Sequence, residues 1–363
     1  MKLLFIARTY PPLVGGMERF ASDFYNNYKK LGEIDLLANS GGAKTLIPFF
    51  FKVLFFLTKN ATKYDVIHFS DAILSPAIPV IRIFSKARIS FTVHGLDVVY
   101  SRFGYQYLIP FFLRKADKVF AVSNYTMEQC KHIGIPSNNL RVIPNCINVE
   151  DSPRCSQLEV EKFISKHNIK INAKVILLTV GRLIKRKGHA WFIENVFGKL
   201  PDHYIYMIAG LGPEQEQVEK IIRKFNLTDR VHLLGYISEE EKNCLYQISD
   251  LFIMPNISVE GDQEGFGIVA LEAGSHGLPV IATDLEGIRD AIIEGKTGRL
   301  IKEKDVQAFL AATTSHGIDV SSIQESVVSN FNCATIIKRY ISEFEKMAGN
   351  KRHRKPTLAR RSG

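Results

Sequence analysis

Tryptophan is almost absent from the sequence, one residue in 363, although phenylalanine is plentiful at 24. Cysteine is scarce as well. Cys130, Cys146, Cys155, Cys244 and Cys333 are scattered without a CxxC pair or a Cys/His ligand spacing. That excludes a zinc finger or ribbon and leaves buried free thiols in a reducing cytoplasm as the expectation. Long apolar runs are missing too. The most apolar stretch, Thr45–Lys59 (TLIPFFFKVLFFLTK), is cut by Lys52 and holds about a dozen apolar residues, short of the roughly 20 that span a bilayer. The opening MKLLFIARTYPP is broken by Arg8 and a proline pair with no small-residue cleavage site, so it reads as a first strand and not as a signal peptide. No GxGxxG dinucleotide fingerprint occurs, no Asp-x-Asp stands near a strand end, and no nucleic-acid recognition motif accompanies the basic residues.

What is present is the composition of a soluble globular protein, 46% apolar and 23% charged, long enough for two domains. The formal net charge is +10. Part of it sits in KRHRKPTLARR, Lys351–Arg361, which holds six Lys/Arg and no acid and reads as a disordered tail, 350–363, drawn to acidic surfaces.

Short β-rich runs alternate with helical patterns: LLFIA, EIDLLA, DVIHFS, RISFTVHG, KVFAVS and RVIPN in the first half. VILLTVG, YIYMIAG, VHLLG, DLFIMP, LPVIATD and TGRLI follow in the second. Alternation of this kind predicts βαβ units, and hence two doubly wound α/β domains with parallel sheets. The expected division is 1–155 and 156–333, with a break near Pro153 and an amphipathic final helix over Ala334–Met347. Two readings of Thr45–Lys59 stay open: a helix packed on the sheet, or one that also touches a membrane surface.

Four segments carry candidate chemistry. In EGFGIVALEA, Gly265 and Gly267 allow close backbone approach, and a helix expected to start near Phe266 would aim free N–H groups at an anion. Glu264 and Glu272 are eight residues apart, near two helical turns; either both meet one ligand, or Glu264 is a helix-start charge and Glu272 a solvated residue. The apolar surroundings of Glu272 favour a specific partner. A sugar diphosphate would use both kinds of group, hydroxyls for a carboxylate and oxyanions for the N–H groups. In GRLIKRKG, Gly181–Gly188, a loop expected at the carboxyl end of a strand supplies Arg182, Lys185, Arg186 and Lys187, fit for phosphate neutralisation or merely solvated. VGGME offers Gly15 and Gly16 for backbone approach, and VHGLD puts His94 at a strand end, as a ligand contact or as a satisfied structural histidine.

GRLIKRKG, GLGP, EGFGIVALEA, GLPVIATD and GKTG in that order, with VHGLD, FAVSNY and RVIPN before them, resemble the group 1 (family 4) retaining glycosyltransferases. The resemblance runs from VGGME to about Tyr340. It implies the GT-B architecture, two Rossmann-like domains facing across a cleft that holds a nucleotide-sugar donor, with the final helix joined to the first domain. It further implies that Arg182 and Lys187 bind the donor diphosphate, Glu264 the sugar hydroxyls and Glu272 the ribose. Gly181 and the backbone of Phe266, Gly267 and Ile268 would meet sugar and phosphate, Ile237 would lie in the base-contacting turn, and His94 with Gly15–Gly16 would act from the first domain. Glu264, His94, Arg182 and Lys187 are thus the implied catalytic set. Two departures, NCIN at Asn145–Asn148 and Arg289–Asp290 in EGIRD, fall outside these elements.

The expected reaction moves a hexose from a UDP- or GDP-linked donor to a glycan or lipid-linked acceptor with retention, cations and a helix dipole offsetting charge on the leaving group without a metal or other cofactor. A cytoplasmic enzyme with peripheral contact at an anionic inner membrane face, and with no nucleic-acid partner, is the accompanying expectation. A non-catalytic nucleotide-sugar binder and a GT-B-fold epimerase are the competing readings.

Overall fold

The computed structural model describes residues 1–13, 15–100, 104–148, 154–171, 174–315 and 317–349. Val14 of VGGME, the expected break at Pro153 and the basic tail from residue 350 lie outside them. The chain groups into two units, one of Met1–Val122 and Thr126–Ile143 with the helix that starts at Cys333, the other of Ser123–Tyr125 and Pro144–Asn332.

The first unit holds strands β1 Lys2–Ala7, β2 Glu33–Ala38, β3 Val66–Phe69, β4 Arg88–Val93, β5 Lys118–Ala121 and β6 Leu140–Val142. All pair in parallel, in the order β2-β1-β3-β4-β5-β6. Its helices are α1 Gly16–Lys29, α2 Leu46–Asn60, α3 Ile78–Phe84, α4 Leu96–Val99, α5 Tyr105–Leu113 and α6 Asn124–His132. The strand order reverses direction between β1 and β3. Right-handed crossovers therefore put α1 on one face of the sheet and α2, α3 and α5 on the other.

The core bears this out. Leu4, Ile6, Ile67, Phe69, Ile89 and Phe91 form one buried cluster with Phe49, Val53 and Leu57 of α2, Ile78 and Ile81 of α3, and Ile109 and Leu113 of α5. The opposite face packs Phe5 against Phe24 of α1, and both Phe24 and Phe120 against Tyr340 of the final helix.

The second unit holds β7 Val175–Val180, β8 Tyr204–Ala209, β9 Val231–Gly235, β10 Leu251–Met254, β11 Val280–Thr283 and β12 Gly298–Ile301, again all parallel, in the order β12-β11-β10-β7-β8-β9. Its helices are α7 Gln157–Lys166, α8 His189–Asn195, α9 Gln215–Lys224, α10 Glu239–Ile248, α11 Ile268–Ser275, α12 Ile288–Ala291, α13 Val306–Thr314 and α14 Ile323–Phe331. Helix α15, Cys333–Gly349, completes the chain. Both sheets are doubly wound, and every run read as a strand in the sequence contains one, with ends shifted by up to three residues. Four of the shifts share a cause: Gly181, Gly210, Pro255 and Asp284 close their runs and already belong to the loops.

One sequence expectation needs correction. The five cysteines are not all free thiols: Cys155 and Cys244 form a disulfide, while Cys130 is a buried free thiol. The bonded pair is 89 residues apart in sequence, and only the docking of α7 beside α10 brings it together, so no spacing rule could announce it. Cysteine usage then no longer argues for a reducing compartment. Helix α2 packs on the sheet, as one of the two readings expected, and also carries a second, exposed apolar face. Phe49, Val53 and Leu57 face the core, while Ile47, Phe51 and Phe55, on the same i, i+4, i+8 spacing, are 71%, 64% and 63% exposed.

Helix α15 is stitched to the first unit by a buried polar chain. Ser90 Oγ lies 3.0 Å from His68 Nδ1, His68 Nε2 lies 3.2 Å from Thr92 Oγ1, and Thr92 Oγ1 lies 3.1 Å from the Tyr340 hydroxyl. Burial holds His68 neutral, its pKa pushed down to about 3. Replacing the fully buried Tyr340 by Ala removes an aromatic ring from that core and breaks the chain. The expected cost is about 3–5 kcal/mol in urea-denaturation stability, and a loss below about 1 kcal/mol would contradict this packing role.

Candidate functional site

In the second unit the strand order reverses between β7 and β10, and loops at the carboxyl ends of two such strands form the usual binding crevice of an open α/β sheet. The loop after β7 is Gly181–Gly188, and the loop after β10 runs from Pro255 to Gly267. The two are pressed together at Gly188, whose φ of +69° is left-handed and whose missing Cβ would stand 1.9 Å from the Pro255 carbonyl oxygen. Only glycine fits there. Ile257 N then donates to Arg186 O at 2.9 Å, fixing the register of one loop on the other.

That packing converges the charges. Lys187 Nζ donates to Glu264 Oε2 at 2.6 Å, Arg186 NH1 donates to the same oxygen, and Asn256 Nδ2 donates to it at 3.3 Å. Arg186 Nε bonds Asp262 Oδ1 at 2.9 Å. Burial would raise the Glu264 pKa, but Lys187 and Arg186 outweigh it and hold the carboxyl at about 2. Beside it, Glu286 accepts from the Glu264 backbone N–H, and burial pushes its own pKa up to about 6. Arg182 is exposed on the same loop, as is Lys185. The two loops carry Arg182, Lys185, Arg186 and Lys187 and, against them, Glu260, Asp262 and Glu264, four cations to three carboxylates, so the paired loops keep a small positive surplus, suited to an anion.

The expected helix start at Phe266 is displaced. Gly267 takes a left-handed conformation, φ 89° and ψ 54°, so α11 begins at Ile268, and Phe266 is a buried side chain 6.2 Å from the Phe331 ring. Glu264 therefore precedes the helix in a loop and does not share a helical face with Glu272. Glu272 is itself buried, which removes the solvated reading. Its Oε2 accepts from the Tyr246 hydroxyl at 2.8 Å and lies 3.4 Å from Lys242 Nζ, both on α10. Ile237 is half-buried immediately before Ser238, whose hydroxyl caps α10 in a reciprocal box with Glu241.

His94, Gly15 and Gly16 belong to the first unit. There the switch point is between β1 and β3, and Arg8 after β1 bonds the buried Asp71 after β3 at 2.9 Å. His94 follows β4. Its ring Nε2–H donates to Ser70 O at 2.9 Å, its backbone N–H donates to Asp97 Oδ1 at 2.8 Å, and its ring stands edge-on to Phe20 at 4.8 Å. The carbonyl partner fixes the tautomer, and burial keeps the ring neutral with a pKa of about 4. Gly16 begins α1 and meets no neighbour where a Cβ would stand, so packing within the protein does not demand glycine there. Among the described residues no cluster of three or more His, Cys, Asp or Glu could hold a metal.

In the sequence Arg186 is only one charge in a loop, and nothing there marks Asp262, Asn256, Glu286, Tyr246 or Lys242. The one legible signal was the carboxylate of Glu272 inside an apolar run.

Comparison with known proteins identifies the family and the fold. The family described as glycosyl transferases group 1 matches residues 160–315, and glycosyltransferase family 4 matches residues 33–151. An amylovoran biosynthesis glycosyltransferase of Erwinia amylovora, AmsK, is 31% identical over 42% of this chain and 39% of its own length. A GDP-mannose-dependent α-(1-6)-phosphatidylinositol monomannoside mannosyltransferase of Mycolicibacterium smegmatis is 27% identical over 64% of this chain and 62% of its own. The chain thus spans less than two-thirds of either relative. In fold it is similar to the crystal structure of Anabaena HepE in complex with UDP, with a TM-score of 0.77 at 18% identity, covering 95% of this chain and 100% of that one.

Glu264→Ala would leave two cations around an empty position, and removing one partner of a buried ion pair costs about 3–5 kcal/mol. Because the Glu264 pKa lies below its ordinary 4.5, this contribution is fully present above pH 4.5 and is lost as pH falls toward 2. Urea titrations of the two proteins should therefore differ widely at pH 6 and converge near pH 2. A gap independent of pH would contradict the pairing.

Proposed function

Starting from a chain that belongs to the group 1 and family 4 glycosyltransferases and is a hexosyltransferase of GT-B type, we propose a retaining transfer from a UDP- or GDP-linked hexose to a hydroxyl of a growing glycan or lipid-linked acceptor. Polysaccharide or glycolipid biosynthesis is its setting, at the cytoplasmic face of a membrane. The carrying observation is the Arg186–Lys187–Glu264 cluster at the β7/β10 switch point, beside the start of α11.

The donor diphosphate is assigned to Arg182, Lys187, Gly181 and the first N–H groups of α11, including that of Ile268. An ammonium carries three donors, and Lys187 spends one on Glu264, so two remain for phosphate oxygens. As the bond from the anomeric carbon to the diphosphate stretches, negative charge grows on the leaving oxygen, and these fixed cations and the helix terminus offset it without reorganising. The acceptor oxygen forms its bond to the anomeric carbon on the same face, and its proton passes to the departing diphosphate.

Glu264, ionised throughout the physiological range, accepts hydrogen bonds from sugar hydroxyls. Arg186 acts as a positioning residue that aims it. Glu272, its carboxylate oriented by Tyr246 and Lys242, takes the ribose hydroxyls. Phe266 and Gly267 contribute backbone, Ile237 the base-side turn, and neutral His94 with Gly15–Gly16 the sugar-side contacts of the first unit. The named mannosyltransferase, GDP-mannose-dependent and acting on a phosphatidylinositol mannoside, supports a lipid-linked acceptor.

Nucleoside diphosphate release should be measured across UDP- and GDP-sugars. One class is expected to turn over, and Lys187→Ala should lower its kcat/KM by about 100-fold, the scale of removing one group that stabilises transition-state charge. No release from any donor, or full activity in Lys187→Ala with an unchanged melting curve, would overturn the assignment.

Activity should also survive EDTA, because protein cations hold the diphosphate. Complete loss on chelation, restored by Mg²⁺ or Mn²⁺, would refute the metal-free route.

A further inference from the structure

The outward side of the helix layer formed by α2, α3 and α5 is apolar where a solvated protein surface should be polar. On α2 the exposed stripe is Ile47, Phe51 and Phe55; on α5 it is Tyr107, Leu108 and Phe111. Ile83 at the end of α3, which packs beside α2, is 74% exposed and extends the same surface. All three helices bury their other sides in one core on one face of the sheet, so the exposed stripes point away from the same side of the unit.

Charge accompanies them. Between Asp35 and Asp117 the chain has ten Lys/Arg and three acids, Asp65, Asp71 and Asp97, and none of these acids lies in α2, α3 or α5. Lys59 Nζ stands 4.2 Å from the Phe55 ring centre and Lys115 Nζ 4.0 Å from that of Phe111, so exposed rings and ammonium groups alternate. A depression of about 530 Å³ on α5, lined by Tyr107, Leu108, Phe111 and Arg114 among others, sets a guanidinium beside apolar side chains.

We propose that this face of the first unit docks on an anionic phospholipid bilayer, with the stripes of α2 and α5 entering the headgroup boundary and their lysines and Arg114 meeting lipid phosphates. Rings at the interface with cations beside them are the chemistry of a surface-bound helix. No helix among the described residues is long and apolar enough to cross a membrane, so the contact is peripheral. The inference locates the membrane side of the proposed reaction but stands on these side chains alone.

Sedimentation of the full chain with phosphatidylcholine vesicles, with and without phosphatidylglycerol, tests it. The expected result is binding to the anionic vesicles that weakens in high salt. It should fall about tenfold or more in Phe51→Ser/Phe55→Ser/Phe111→Ser and in Lys52→Glu/Lys59→Glu, with unchanged melting and unchanged diphosphate release from a soluble donor. Vesicle binding by the wild type with no donor turnover would sink the proposed function and leave this surface standing. No binding by the wild type, equal binding by the aromatic variant, or loss only on deleting residues 350–363 would overturn the surface. So would concentration-dependent self-association that the aromatic variant abolishes, without vesicle binding.

Discussion

One carboxylate oxygen organises the second unit's binding loops. Glu264 Oε2 receives Arg186, Lys187 and Asn256, and these come from the ends of the two strands that flank the switch point. Burying two cations and one carboxylate is expensive unless each is answered, and here each answer is also a positional constraint. Arg186 is further fixed by Asp262, and its carbonyl by Ile257 N–H. The loops are held in register by charge as well as by the close approach at Gly188. A ligand anion arriving there meets groups that are already oriented, which is the condition for charge stabilisation without reorganisation.

The sheets were legible because their signal is redundant. Val/Ile/Leu runs buried on both faces and closed by Gly, Pro or Asp are what a parallel strand requires, and twelve of them in alternation leave few other folds. The site was legible at the level of loops. Glycines at 181, 188 and 267, cations at 182–187 and a carboxylate in an apolar run mark where a ligand would go. Partners were not legible, because a hydrogen bond such as Arg186 to Asp262 or Tyr246 to Glu272 depends on which loops the topology brings together, across 76 and 26 residues respectively. The displaced start of α11 has a local cause that hydropathy does not carry, the left-handed turn at Gly267. Cys155 and Cys244 illustrate the same limit, since their sulfurs meet only after α7 docks on α10.

Helix α2 shows how a periodicity can hold two answers. Apolar residues on every side of a helix ordinarily mean full burial, and a sequence count cannot tell that case from a helix with a core face and a second contact face. The sheet decides it. A helix in the outer layer of a doubly wound domain has one side toward the strands, so Phe49, Val53 and Leu57 are inward and Ile47, Phe51 and Phe55 stay exposed on the outer side.

The same topology gives the two units the same kind of site with different electrostatics. Each places a cation–carboxylate pair at its switch point, Arg8 with Asp71 in the first and Arg186 with Glu264 in the second. In the first unit Asp71 is answered by Arg8 and by the Ile73 N–H, while nearby Asp97 is so disfavoured as an anion, by burial and then by Asp71, that its pKa rises to about 7. That pocket has no cationic surplus to offer a diphosphate. In the second unit the carboxylate, held near pKa 2, stays ionised, but Arg182, Lys185, Arg186 and Lys187 still outnumber Glu260, Asp262 and Glu264 in the two loops. For the proposed reaction, the second unit is therefore the more favourable host of a doubly charged leaving group. The first unit, with a neutral histidine at His94 and fixed carbonyl and carboxylate partners around it, is suited to uncharged hydroxyl chemistry, which is what a sugar or a glycan acceptor presents.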